Sequence, residues 1–305
     1  MSSPVTSLIF LVGLLALAPL VPGVATRTKA MLTARRGAPV WQLYADLWKL
    51  WRRGAVYSTT TTWVFRFAPV AVTGTAVAAS LFVPLDGRSA VLSFSADFVA
   101  FAYLLALGRF ALVLGALDTG SSFEGMGASR EVTFASFVEL GLFIALSVLS
   151  LAAHDLSLAG MFGAPLASRW ADAAPSIALT GASLFALLLA ECARVPVDDP
   201  ATHLELTMIH EVIVLDHSGP DLALILYASA LKLALLASLV VHVLVPWNPP
   251  APVARLAVLA LGLLAAGVAI GVVESVMARL RLPKVPLYIA GASALGAVGL
   301  VLLLL

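Results

Sequence analysis

The chain has 305 residues, 61% of them hydrophobic and 11% charged, with a formal net charge of +1. A mean hydropathy of +1.02 excludes an ordinary soluble domain, the near-neutral charge points to no polyanionic partner, and the alternating ten-residue segments of a membrane β-barrel are missing from the sequence. A single cysteine, Cys192, excludes an internal disulfide and an iron–sulfur cluster held by this chain alone.

Apolar runs of about 18 or more residues mark membrane-spanning helices. Residues 5–25, 67–85, 173–190, 256–273 and 285–305 carry no charge. Residues 98–117 carry only Arg109, 132–153 only Glu139, and 222–246 only Lys232 with His242. These runs predict an all-α integral membrane protein of about eight transmembrane helices, with residues 1–305 as one membrane domain. No positive charge precedes the first run and many follow it, which is wrong for a cleaved signal and predicts a retained first helix.

Lysine and arginine set the orientation. Arg27, Lys29, Arg35, Arg36, Lys49, Arg52, Arg53, Arg66, Arg130, Arg194, Arg279, Arg281 and Lys284 all fall in loops on one side. Arg88, Arg169 and Arg255 fall on the other. The rich side is predicted to be cytoplasmic, with the N-terminus outside.

The loop after the first helix contains "PVWQLYADLWKLWRR". Gln42, Asp46, Lys49 and Arg53 share one helical face, and Val40, Tyr44, Leu47, Trp48 and Trp51 line the other. Residues 39–53 therefore predict an amphipathic helix in the headgroup region, with Pro39 in its first turn. It serves either as an anchor or as the border of a lateral entrance lined by Trp41, Trp48 and Trp51. Further on, "DTGSSFEGMGASRE" (118–131) is rich in glycine and serine and reads as a solvated turn.

An ionisable group at mid-bilayer costs at least ~2.5–3.5 kcal/mol on insertion scales, so it tends to be paired or functional. Glu139, in the fourth span, either pairs with Arg109 or Lys232 to hold helices together, or belongs to a polar proton path. Residues 191–221 gather Glu191, Asp198, Asp199, Glu205, Glu211, Asp216 and Asp221 with His203, His210 and His217. Apolar residues interleave them too densely for a fully wet surface. The stretch is predicted to fold back on the membrane domain, with its acids lining a polar cavity and titrating together. No metal-ligand spacing is present, and no nucleophile–base pair can be assembled for an intramembrane hydrolase.

Glu191, Arg194, Pro196, Asp198, Pro200, Glu205 and Leu206 form the pattern Glu-x2-Arg-x-Pro-x-Asp-x-Pro-x4-Glu-Leu. This resembles the loop after the fifth helix in the membrane subunit that forms the quinone chamber of respiratory complex I. Ala201 and His203 stand where that pattern usually has two further acids. "DDPATHLELTMIHEV" and "LDTGSSFEGMGASRE" instead resemble the homologous subunit of group 4 membrane-bound nickel–iron hydrogenases, of the formate hydrogenlyase and hydrogenase-4 type.

The resemblance implies a multi-pass subunit of the inner (cytoplasmic) membrane that holds no cofactor itself. Partner subunits would carry iron–sulfur clusters and a nickel–iron centre, antiporter-like subunits would lie beside it in the membrane, and quinone would be dispensable. It implies a proton path or coupling role for Glu139, Glu191, Arg194, Asp198, Asp199, Glu205, Glu211 and Lys232. Asp118, Glu124, Arg130, Glu131, His203 and His210 would meet the cytoplasmic arm. A quinone-reducing complex I subunit and a secondary transporter are the alternatives, the latter requiring inverted repeats.

Overall fold

The computed structural model describes residues 4–162, 164–198, 208–245 and 249–305. Every regular element among the described residues is helical. The long helices are α1 (Pro4–Leu17), α2 (Leu20–Leu32), α4 (Trp63–Ser80), α5 (Asp97–Asp118), α6 (Ser122–Ala153), α8 (Ala164–Glu191), α9 (Gly219–Leu244), α10 (Pro252–Val276) and α11 (Val285–Leu304). Short α3 (Gln42–Trp51) and α7 (Leu158–Met161) join them. Seven helices are long and apolar enough to span a membrane, and the bent pair α1–α2 makes an eighth span. The chain is an all-α, multi-pass membrane protein.

Helix α9 is the central post: 72% of its span window is buried against other helices, against 22% for α11. Two contacts define the ends of the bundle. The backbone N–H of Thr62 donates to Asp118 at 2.6 Å, joining the start of α4 to the end of α5. At the opposite end the N–H of Leu158 donates to Asp97 at 2.6 Å, joining the start of α5 to α7. The lysine- and arginine-rich loops lie at the Asp118 end, called here the basic end. Small residues let α8 and α11 touch, with Ser176 Oγ donating to the Gly299 carbonyl at 2.6 Å and Ser183 Oγ to Ala292 at 2.7 Å.

The first span departs from the single run predicted for 5–25: α1 and α2 meet at a 41° bend. The cause is Pro19, which has no N–H to offer the Leu15 carbonyl four residues earlier. Tyrosines replace the missing donors. Tyr227 on α9 donates to the Leu15 carbonyl at 3.0 Å, and Tyr44 on α3 donates to the Ala16 carbonyl.

Two local expectations are corrected. The predicted turn at 118–131 is largely the first turns of α6, which starts at Ser122. Gly127 serves packing there, because a side chain would collide with Val212. The amphipathic helix starts at Gln42 with Trp41 as its N-cap residue, leaving Pro39 outside its first turn.

With no water at that depth, an unmet carbonyl costs about 1–3 kcal/mol. Tyr227→Phe and Tyr44→Phe are each expected to destabilise the purified chain by roughly that amount. Thermal unfolding in mild detergent measures it, and unchanged melting of the double variant would refute the capping role.

Candidate functional site

Arg109 projects from α5 with its side chain only 9% exposed. It pairs with Glu139 on α6, with Glu191 at the end of α8, and with Glu131 on α6 at 3.6 Å. Lys232 on α9 lies 3.5 Å from Glu191. Four helices thus meet at one charge cluster. Three carboxylates face two cations, leaving formally one negative charge in excess. Burial makes such an excess expensive.

Of the two cations expected as partners for Glu139, Arg109 is the one it meets, while Lys232 holds Glu191. The Glu139 side chain remains 35% exposed, halfway along a span.

Beside the cluster is a cavity of about 40 Å³ lined by Gly108, Arg109, Glu131, His210, Ser229 and Lys232, among others. A second, of about 170 Å³, is lined by Cys192, Arg194, Asp198, His210, Glu211 and Ser229. His210, Ile225 and Ser229 border both. Of the described acids at 191–211, Asp198 and Glu211 line this second cavity, whose wall is otherwise largely apolar. Burial holds the His210 imidazole below its ordinary range, although Glu131 and Asp198 pull the other way.

A second network pins the loop. Asp198 pairs with Arg279 at 2.9 Å and accepts the backbone N–H of Ile209 at 3.0 Å. Arg194 lies 3.4 Å from Glu274 on α10, and Lys29 on α2 lies 4.0 Å from the same carboxylate. Glu274 escaped the sequence reading. It is a lone acid closing an uncharged span, the signal that singled out Glu139. Asp199, His203 and Glu205 lie outside the described residues.

The expected docking residues separate. Glu131 points inward to Arg109. Glu124 is buried and accepts the N–H of Asp216 at 3.2 Å. Arg130 donates to the Met208 carbonyl at 2.9 Å. Asp118 caps the start of α4. Trp48 and Trp51, with Tyr44, Leu47, Ala223, Leu224 and Tyr227, line an apolar groove of about 420 Å³ between α3 and α9. Trp41 is exposed but is not part of that lining. Among the described residues no group of three or more His, Cys, Asp or Glu could hold a metal ion.

Two predictions follow from burial. The Cys192 thiol is pushed up to about 12, chiefly by burial, and the thiolate is the reactive form. N-Ethylmaleimide at pH 8 should leave Cys192 unmodified in the folded chain and label it fully in denaturant. Labelling of the folded chain at the rate of a free thiol would show that the loop opens.

His217 is buried, stacked on Phe65 at 3.9 Å, with neither ring nitrogen partnered among the described residues. Burial lowers it to about 4. The folded state therefore needs neutral imidazole, while the unfolded chain takes a proton near the ordinary value of about 6.5. This contribution is complete above pH ~6.5 and is lost as pH falls toward about 4, amounting to roughly 3 kcal/mol. Unfolding measured across that window should show the loss, and His217→Leu should flatten it.

Comparison with known proteins accounts for the arrangement. The NADH dehydrogenase family profile matches residues 5–304. Hydrogenase-4 component C of Escherichia coli (strain K12) is 34% identical over 235 residues, covering 77% of this chain and 73% of its own length. Formate hydrogenlyase subunit 4 of the same organism is 30% identical over 279 residues, covering 90% of each. In structure, a chain of the membrane-bound sulfane sulfur reductase, an archaeal respiratory membrane complex, matches with a TM-score of 0.83 and covers 98% of each chain. At 17% identity that likeness establishes the fold alone. A family match over nearly the whole chain and two relatives at 30% identity or more lead to one assignment: the chain belongs to the NADH dehydrogenase family.

Proposed function

We propose that the chain is the membrane-anchor and coupling subunit of a complex I-like hydrogenase. It docks a cytoplasmic arm that carries iron–sulfur clusters and a nickel–iron centre, and links electron transfer there to proton or sodium translocation. The names of the two Escherichia coli relatives support the hydrogenase assignment. The orientation rests on the lysine and arginine count, which puts the basic end in the cytoplasm of a cell bounded by its inner membrane.

The observation that carries this reading is the Arg109 cluster. It sits directly beneath the loop elements proposed to meet the arm, and its net negative excess makes its proton binding sensitive to charge arriving above it. Glu139 forms its outer edge. A carboxylate 35% exposed at mid-span is too costly to face hydrocarbon. That exposure supports a protein neighbour in the membrane, in keeping with antiporter-like subunits that receive the proton.

Glu139→Gln keeps the shape and removes the titration. In the assembled complex, electron transfer in the arm should persist while ion translocation into vesicles falls about tenfold or more. Normal translocation by a well-assembled variant would refute the relay. Arg109→Leu should behave differently, because it strands buried carboxylates at a cost of about 3–5 kcal/mol and should lower assembly itself.

A second reading, quinone reduction, is favoured by the apolar groove at Trp48, Trp51 and Tyr227, next to the 170 Å³ cavity. A quinone requirement for turnover of the purified complex would select it.

A further inference from the structure

The end of the bundle opposite the basic end contains a second set of buried and half-buried ionisable groups that the coupling reading does not use. Asp86 follows α4, His242 lies in the last turn of α9, and Arg255 lies in the first turn of α10. Asp86 and Arg255 are both buried and lie 3.4 Å apart. The Asp86 carboxylate also accepts the backbone N–H groups of Arg88 at 2.8 Å and Ser89 at 2.7 Å. Lys232 and His242 are on the same helix, ten residues and therefore about 15 Å apart along its axis. This set is thus separate from the Arg109 cluster.

Two features show that the set is incomplete without a ligand. A cavity of about 40 Å³ lies among Asp86, His242, Arg255, Phe162, Leu166 and Val258. One water needs about 10–15 Å³ on this scale, so about three or four fit. The Arg255 Nε, in a side chain only 6% exposed, is buried with no hydrogen-bond partner among the described residues. A guanidinium N–H left dry at that depth is costly, and it borders a cavity of the right size to be met.

His242 adds the chemistry. Its Nδ1 lies 2.6 Å from the Ser238 carbonyl. A carbonyl only accepts, so Nδ1 carries the proton and Nε2 is the basic position of the neutral ring. Leu85, the residue before Asp86, lines the same cavity. The charged groups facing the ring are Asp86 from the loop after α4 and Arg255 from α10. Among the described residues the α7–α8 side presents Phe162, Leu166 and Ala167 to the cavity. Asp86 and Arg255 cancel, so an anion would leave an unbalanced buried charge. Neutral water, able to carry a proton, would not.

We propose that this cavity holds bound water through which His242 Nε2 exchanges protons with the compartment on the Asp86 side of the membrane. The ligand is water. In its protonated form it passes one proton to Nε2 and remains behind as neutral water, and the new imidazolium shares the Asp86 carboxylate with Arg255, which leaves the set one positive charge over until the proton moves on. Arg255 Nε anchors the water as a donor.

Hydrogen–deuterium exchange at the imidazole Cε1, read by mass spectrometry on the full chain in its native membrane, tests this. That exchange proceeds through the protonated ring and reports each of the five histidines separately. His242 should exchange along a sigmoidal pH profile. In Asp86→Asn the profile should move toward lower pH by about one unit or more, because the balancing charge is gone. The profiles of His154 and His210 should stay in place. Absence of exchange at His242 in the unmodified chain at every pH would show a dry site and overturn the proposal without any variant. An exchange profile unmoved in folded Asp86→Asn would overturn it as well. Should Asp86→Asn fail to assemble, Arg255→Gln keeps a donor to the water, and His242 exchange must survive in it.

Discussion

Arg109 carries a charge that no physiological pH removes, and it carries it inside a membrane helix. A lone cation there costs about 2.5–3.5 kcal/mol on insertion scales, while an opposite charge within about 4 Å contributes about 4 kcal/mol at an effective dielectric constant of 20. The guanidinium is therefore stable only where acids converge on it. Glu131 and Glu139 come from α6, and Glu191 comes from the end of α8. Glu191 in turn draws Lys232 from α9. One obligatory cation thereby fixes the relative placement of four helices and leaves the cluster one negative charge over.

The number of spans was legible because length and hydropathy alone determine which segments can lie in lipid. The pairing of Glu139 with Arg109 was legible as one of two alternatives, since charges inside apolar runs have few possible partners. Which cation went to which acid was not, because helical periodicity shows a face and never the neighbour across from it. Glu131 illustrates this limit. It stands in a glycine- and serine-rich stretch whose local composition speaks for a turn, yet close packing of Gly127 on Val212 makes that stretch helical and directs Glu131 to Arg109. Asp118 and Glu124 looked like surface acids for the same reason and are used up in capping and in holding Asp216.

The loop after α8 divides its acids between two tasks. Asp198 spends its carboxylate on Arg279 and on the Ile209 and His210 backbone, and so sets the loop's shape. Glu191 faces downward into the helix cluster. Arg194, only three residues on, turns away to Glu274. A single turn of chain thus separates Arg194, which ties the loop to α10, from Glu191, which joins the charge cluster with α5 and α9. Adjacent acids in this pattern cannot be assumed to share a role.

The repair at Pro19 has a temporal side. The hydroxyl that meets the Leu15 carbonyl belongs to a residue 212 positions further on, whereas the one that meets Ala16 is only 28 positions away. At about 5–20 residues per second, a ribosome takes roughly 10–40 s to cover the longer separation. The first span must therefore enter the membrane with one carbonyl unmet, held by its apolar flanks and by the amphipathic helix, until α9 arrives beside it. A defect at Tyr227 would surface as an N-terminal span that inserts on time and then fails to be retained.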